Sequence, residues 1–435
     1  LKNIVFSSTR QWNPGDEFIL LGVRRLLAEI GVAHNAILYN RHPGLRAPYL
    51  DRQYFRHSKI PGGFTHDTAL VDLEANLKFG FLDNSLKPGM DCSFVDMVIL
   101  AGTPEWCNGR MLDLYESILK YQLPVIILGV GGDCEIYREN FREVIAKARL
   151  FTVRDRGTQD AVRAQGFAAE LLPCPALLAA PEAAEKRVEL VQKIALIYQA
   201  SAAASVPWNG GSHEAHEYLK TLYPQLIAAG AEIGLTFEIV CHYIDELPLA
   251  RAEFPGLAVH YAYEARDYVE IYQRFDVVVG PRVHGIGICA SLGIPGLAIA
   301  HDRRAGTCEG FLAELVETGT EPAQVWHRLR ELARDAPAKS RALAAHKRAT
   351  MARYAELLAS ALREGGVRYE GGHEIAKAYE FELARLAPVQ QAILALLAGG
   401  QPVHGRIDPP LGVLAPELRE RLIHIEAKLD ALLRR

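Results

Sequence analysis

The chain lacks any hydrophobic run long enough to cross a bilayer. Apolar stretches such as Met97–Ala101 and Val125–Gly129 have strand length and fall far short of the roughly 18 residues a span requires. It also lacks a surplus of positive charge. Forty-eight Lys and Arg against 52 Asp and Glu leave a formal charge of −4, which gives no electrostatic reason to expect nucleic acid or an anionic membrane surface as partner. Cysteine is sparse and unpatterned, with seven residues at 92, 107, 134, 174, 241, 289 and 308 and no CxxC pair, so neither a disulfide framework nor a zinc knuckle is indicated. No basic segment followed by an apolar stretch and a cleavage site precedes the first apolar run, Asn3–Phe6, so a cytoplasmic rather than a secreted protein is expected. Two nucleotide signatures are missing as well. The glycine run Gly129–Gly132 ends without the Lys-Ser/Thr of a phosphate-binding loop, and no GxGxxG follows a strand, so ATP hydrolysis and a dinucleotide cofactor are not supported.

What is present, in 435 residues of which 49% are apolar and 23% charged, is a globular chain too long for one core. Short β-branched runs alternate with amphipathic stretches almost from end to end, the pattern of parallel sheets built from βαβ units, so the fold class is α/β. Strands are expected at 3–7, 36–39, 97–101, 125–130, 150–153 and 170–172, with a helix over 17–30 that Gly31 stops. After Pro173-Cys174-Pro175 and an Ala/Glu/Pro segment, a new first strand at 194–198 starts the alternation again, with strands to follow at 237–242, 257–261, 277–280 and 296–300. This gives domains at 1–185 and 186–320, facing a cleft, and a helical extension over 321–435. The extension ends in a seam of Leu418, Leu422, Ile425, Leu429 and Leu432, suited to packing on the chain's own body or to a homo-oligomer. Residues 41–91, rich in proline and glycine, interrupt the first domain either as cover for a substrate site or as a packed surface excursion.

Four segments stand where a strand gives way to a helix or loop, the position at which open α/β sheets bind ligands. Asn13, Gly15, Asp16 and Glu17 form the first, although turn and cap chemistry alone would justify Asp16. Gly131 and Gly132 form the second, where bare amides could approach an anion or a sugar. In the third, Arg154-Asp155-Arg156, a buried strand delivers guanidinium groups suited to carboxylate or phosphate, or else an Arg-Asp pair caps a helix. The fourth is the most informative. Asp276–Gly280 leads to Arg282, His284 and Gly285 at a helix start, and the next strand ends at Ala300-His301-Asp302-Arg303-Arg304. A helix N-terminus favours an anion, and an imidazole beside it is placed for proton transfer. The pair His213 and His216, three residues apart, does not have metal-ligand spacing and reads as a solvated helix start; no metal site is expected.

In the order and spacing of these segments, together with Asp96–Gly102, Pro173–Leu177 and Gly293-x-Pro295, the chain resembles the polysaccharide pyruvyl transferase family over roughly residues 3 to 320. The resemblance implies two Rossmann-like domains arranged as in GT-B glycosyltransferases. It further implies transfer of the enolpyruvyl group of phosphoenolpyruvate, as co-substrate and with no cofactor, onto a sugar or lipid-linked glycan acceptor. The product would be a pyruvate ketal in a bacterial surface polysaccharide, made in the cytoplasm or at the inner face of the membrane. By the same resemblance, His284 is general acid and base, while Arg154 and Arg304 act on the donor. Asn13, Gly15, Asp16, Glu17, Gly131, Gly132, Arg282, Gly285 and Arg303 bind substrate. One departure is visible: Arg303-Arg304 stands where the family usually has lysine, which keeps the charge but not a group able to give up a proton. The residues themselves also fit a GT-B-type glycosyltransferase using a nucleotide sugar, or a non-catalytic glycan-binding or scaffolding subunit.

Overall fold

The computed structural model describes residues 2–7, 14–32, 34–38, 95–102, 111–131, 139–200, 211–243, 246–262 and 265–363. The insertion at 41–91 and the seam at 418–432 lie outside them.

The first sheet comprises β1 (Lys2–Phe6), β2 (His34–Leu38), β3 (Met97–Ala101), β4 (Val125–Val130), β5 (Ala148–Val153) and β6 (Glu170–Leu171) in the order β2-β1-β3-β4-β5-β6. The second comprises β7 (Lys193–Ile197), β8 (Thr236–Val240), β9 (Val259–His260), β10 (Val277–Gly280), β11 (Gly296–Ala300) and β12 (Glu314–Glu317) in the order β12-β11-β10-β7-β8-β9. Every pairing is parallel. Covered on both faces, the central strands are apolar throughout: β3, β4, β10 and β11 bury every residue. The helices are α1 (Pro14–Glu29), α2 (Leu112–Lys120), α3 (Glu139–Ala146), α4 (Arg156–Ala164), α5 (Gly211–Ala231), α6 (Glu246–Glu253), α7 (Ala265–Tyr272), α8 (Val283–Ser291) and α9 (Pro322–Arg363).

Three apolar layers separate and flank the sheets. One lies outside the first sheet, beneath α2 and α3, and one outside the second, beneath α5. The third is shared: Phe18 and Val23 of α1, Leu177 of the connecting segment, Tyr268 of α7, Ile288 of α8 and Tyr354 of α9 belong to one continuous core. The long α9 returns from the second domain to the first, where its Tyr354 hydroxyl donates to the Pro173 carbonyl at 2.9 Å. Lys347, only 4% exposed, joins the Ala180 and Ser291 carbonyls at 2.9 and 2.7 Å and pairs with Glu185 at 2.9 Å.

The structure corrects several expectations. Helix α1 begins at Pro14, so Gly15, Asp16 and Glu17 are its first turn and not a loop before it; proline at a helix start loses no hydrogen bond, and two carboxylates there suit the dipole. After the expected strand end at 172, Pro175–Leu178 forms a buried 3-10 turn against α1. The segment after β11 is a 3-10 helix, Arg303–Phe311, capped by Asp302. Edge strand β12 was not expected. His216 is buried rather than solvated, 3.0 Å from Glu253 and 3.4 Å from the Tyr198 hydroxyl, although His213 is exposed. Among the described residues no helix is long and apolar enough to cross a membrane, and no group of three or more His, Cys, Asp and Glu is arranged to hold a metal.

Candidate functional site

The C-terminal ends of β7, β8, β10 and β11 carry a dense set of polar side chains. Strand β10 ends at Gly280, and Pro281 leads to Arg282, the N-cap of α8; no side chain caps that helix start. The Arg282 guanidinium pairs with the fully buried carboxylate of Glu246 and lies 4.2 Å from the centre of the Tyr243 ring. His284 follows on the first turn of α8, half-buried. After β11, Asp302 accepts from the Arg304 backbone at 2.8 Å and from its guanidinium at 2.9 and 2.5 Å. His301 stands 3.3 Å from the same carboxylate.

These groups sense one another. Burial works against the charge on Asp302, but the hydrogen bonds and charge of Arg304 outweigh it and hold the carboxyl below its ordinary range. His301 is pushed down by burial and by the cations of Arg304 and Arg282, so it is neutral at pH 7 despite Asp302. Tyr243 is raised by burial, against the pull of Arg282 and Arg304. Asp16, reaching over from the first domain, also acts on it. Thus Arg282, Arg304, His301 and Tyr243 form one electrostatic group, with a carboxylate of each domain at its border.

Arg154 belongs to a second group. It is 3% exposed at the end of β5, and its Nε and one terminal nitrogen have no hydrogen-bond partner among the described residues. It reaches the Cys174 thiol and acts on that of Cys308; burial pushes both thiols up, Cys308 to about 12, so neither is a nucleophile at neutral pH. Asp155 caps α4 through Thr158 at 2.7 Å, and Arg156 is exposed. The 3-10 helix at Arg303–Phe311 links the two groups: a side chain at Gly306 would stand 3.8 Å from Asp155, and Cys308 lies beside Arg154.

The remaining expected residues make structural contacts around these two groups. The Gly131 amide donates to the Gly102 carbonyl at 3.3 Å, and a Cβ there would fall 2.4 Å from Arg154, so this glycine makes room for the guanidinium. Gly285 likewise yields to Ile197 and His242, whose atoms would lie 2.5 and 2.9 Å from a Cβ. Glu17 accepts from the Ala265 backbone at 3.1 Å, capping α7 across the domain boundary. Gly15 is buried beside Asp16, Arg303 is exposed, and Asn13 and Gly132 lie outside the described residues. Sequence reasoning missed His242, Tyr243 and Glu246. The available signal was their place just after the apolar strand β8, since strand C-terminal ends are where such sheets bind ligands.

Two doubly wound, Rossmann-like domains joined through a shared core, with charged strand ends meeting at their boundary, define a GT-B-like α/β architecture. Within that class the chain belongs to the polysaccharide pyruvyl transferase family, whose pattern matches residues 13–303, more than half of its length. No curated protein sequence matches it. Solved structures similar to it include UDP-GlcNAc 2-epimerase from Neisseria meningitidis bound to UDP-GlcNAc, at 11% identity and a TM-score of 0.47, covering 84% of this chain and 100% of that one. UDP-GlcNAc 2-epimerase from Methanocaldococcus jannaschii is similar at 13% identity and a TM-score of 0.42 (76% and 92% covered), as is glycosyltransferase VinC at 13% and 0.42 (83% and 100%).

Proposed function

We propose that this protein transfers the enolpyruvyl group of phosphoenolpyruvate to two hydroxyls of a sugar, forming a pyruvate ketal on a bacterial surface glycan or its lipid-linked precursor. The observation that carries the reading is Arg282 at the uncapped start of α8, with His284 two residues on, in a chain of this family. Backbone N–H groups at a helix start and a guanidinium fork both suit carboxylate or phosphate oxygens.

The chemistry follows from the donor. A proton added to the donor methylene makes it a methyl group and leaves an oxocarbenium centre at the neighbouring carbon. A sugar hydroxyl adds there and gives up its proton; the C–O bond to phosphate then breaks, and the second hydroxyl closes the ring, giving up a proton as well. Of the two protons lost by the hydroxyls, one balances the new methyl group and one leaves on phosphate. His284 supplies the first proton and recovers one from a hydroxyl, the exchange an imidazole performs near neutral pH. Arg282 and Arg304 hold the donor's anionic groups, and the unpartnered nitrogens of Arg154 suit a further oxygen. No cofactor takes part. Arginine in place of lysine at 303–304 gives up no proton near neutral pH, and the proton is assigned to His284 at the start of α8.

The test is to supply phosphoenolpyruvate and a panel of sugar and lipid-linked acceptors, following phosphate release and product mass. Phosphate release with a pyruvate ketal on the acceptor is expected, and His284→Ala abolishes both. Turnover of a nucleotide sugar without ketal formation contradicts the proposal.

A further inference from the structure

Glu246 opens α6 and is wholly enclosed. Among the described residues its two carboxylate oxygens hold four groups. One oxygen accepts from the backbone N–H of His242 and of Tyr243, each at 3.1 Å. The other accepts from the backbone N–H of Ala200 at 3.3 Å and from the guanidinium of Arg282. Ala200 follows β7, His242 and Tyr243 follow β8, and Arg282 follows β10. These are neighbours in the sheet, in the order β10-β7-β8, so a single carboxylate ties three adjacent strand ends together at the candidate site. It also holds the backbone of Tyr243, the residue whose ring lies under the same guanidinium at 4.2 Å.

An enclosed carboxylate is a poor way to gain cohesion alone, because an apolar residue of similar volume avoids the cost of desolvating a charge. What the charge adds is direction: it fixes both the partner of Arg282 and the platform beneath it. We propose that Glu246 is a positioning residue that, with Tyr243, aims the Arg282 guanidinium at the donor's anionic group. This deepens the proposed function and rests on its reading of Arg282 as the anion-binding group. Glu253, seven residues further along α6, serves as the contrast. Its carboxylate receives the Tyr198 hydroxyl at 2.9 Å and lies 3.0 Å from His216, so it anchors the same helix through other partners.

Charge alone and positioning predict opposite signs. Removing a negative charge beside Arg282 would strengthen anion binding if only the local potential mattered. If Glu246 aims the guanidinium, Glu246→Gln weakens binding, because the carboxamide cannot accept from all four donors. Calorimetric titration of the full chain with phosphoenolpyruvate separates these cases. Glu246→Gln is expected to weaken binding about tenfold, while Glu253→Gln lowers the melting temperature and leaves the affinity unchanged. Equal or tighter binding by Glu246→Gln overturns the proposal. Should that variant fail to fold, Tyr243→Leu takes its place, with a loss of about fivefold expected and unchanged affinity contradicting. If the wild-type protein shows no binding of phosphoenolpyruvate, the donor reading fails, and crystal structures of the wild type and the variant that folds decide positioning on its own. The Arg282 guanidinium is expected to leave its place over residue 243; an unmoved guanidinium overturns the proposal.

Discussion

His242 illustrates how much a single residue reports on the join between the domains. Its Nε2 lies 2.8 Å from the Tyr272 hydroxyl, and its ring packs against Tyr268 of its own domain and Phe18 of the other, at 5.1 and 6.1 Å between centroids. Burial first, and the nearby Arg282 second, push its pKa from the ordinary 6.5 down to about 3. The unfolded chain therefore binds a proton below pH 6.5 that the folded protein refuses, and stability falls as the pH drops through that window. For one such histidine the loss accumulates at about 1.4 kcal/mol per pH unit. Thermal unfolding between pH 7 and pH 5 should fall more steeply in the wild type than in His242→Gln, whose carboxamide does not titrate; parallel curves contradict the assignment.

Among the described glycines, Gly22 of helix α1 leaves the least room for a side chain. A Cβ at Gly22 would stand 1.8 Å from the Pro175 carbonyl oxygen, a backbone atom that cannot swing aside. Gly22→Ala must push α1 off the 3-10 turn at Pro175–Leu178, at a cost of about 3 kcal/mol, read as a lower urea midpoint; an unchanged midpoint contradicts this packing. The elements also show what a sequence reveals. Strands β10 and β11 were legible because a strand covered on both faces must be apolar at every position. Strand β12, at the sheet edge with Glu314 and Glu317 among its four residues, carries no such signal. The start of α1 was obscured because Asn-Pro-Gly-Asp is also good turn chemistry. At the candidate site, the sequence pointed to Arg282, His284 and the cations at 303–304 as strand-end residues, and the structure places them just after β10 and β11. Gly131 and Gly285 make room for Arg154 and for Ile197 and His242, a role the sequence did not show, since a bare glycine reads the same whether it yields to a ligand or to a neighbouring side chain. Glu246 was hidden because a charged residue ordinarily reads as solvated.

At the scale of the molecule, the shared core and the returning α9 make the two sheets one structure. Lys347 binds the connecting segment at Ala180 and Glu185 to the last turn of α8 at Ser291, where a cation also meets the negative end of the helix dipole. Lys347→Met leaves a half-buried carboxylate and two carbonyls without their donor and should cost about 3 kcal/mol. Scanning calorimetry is expected to show one unfolding peak for the wild type, displaced to lower temperature in this variant; two resolved wild-type peaks contradict a shared core. If the strand ends around Arg282 hold phosphoenolpyruvate, as proposed, a crystal structure with that compound bound will show it there. Density for the donor is expected at the start of α8, with an anionic group on Arg282 and the methylene carbon within reach of His284. Donor density elsewhere, or a nucleotide diphosphate binding there where phosphoenolpyruvate does not, would contradict it.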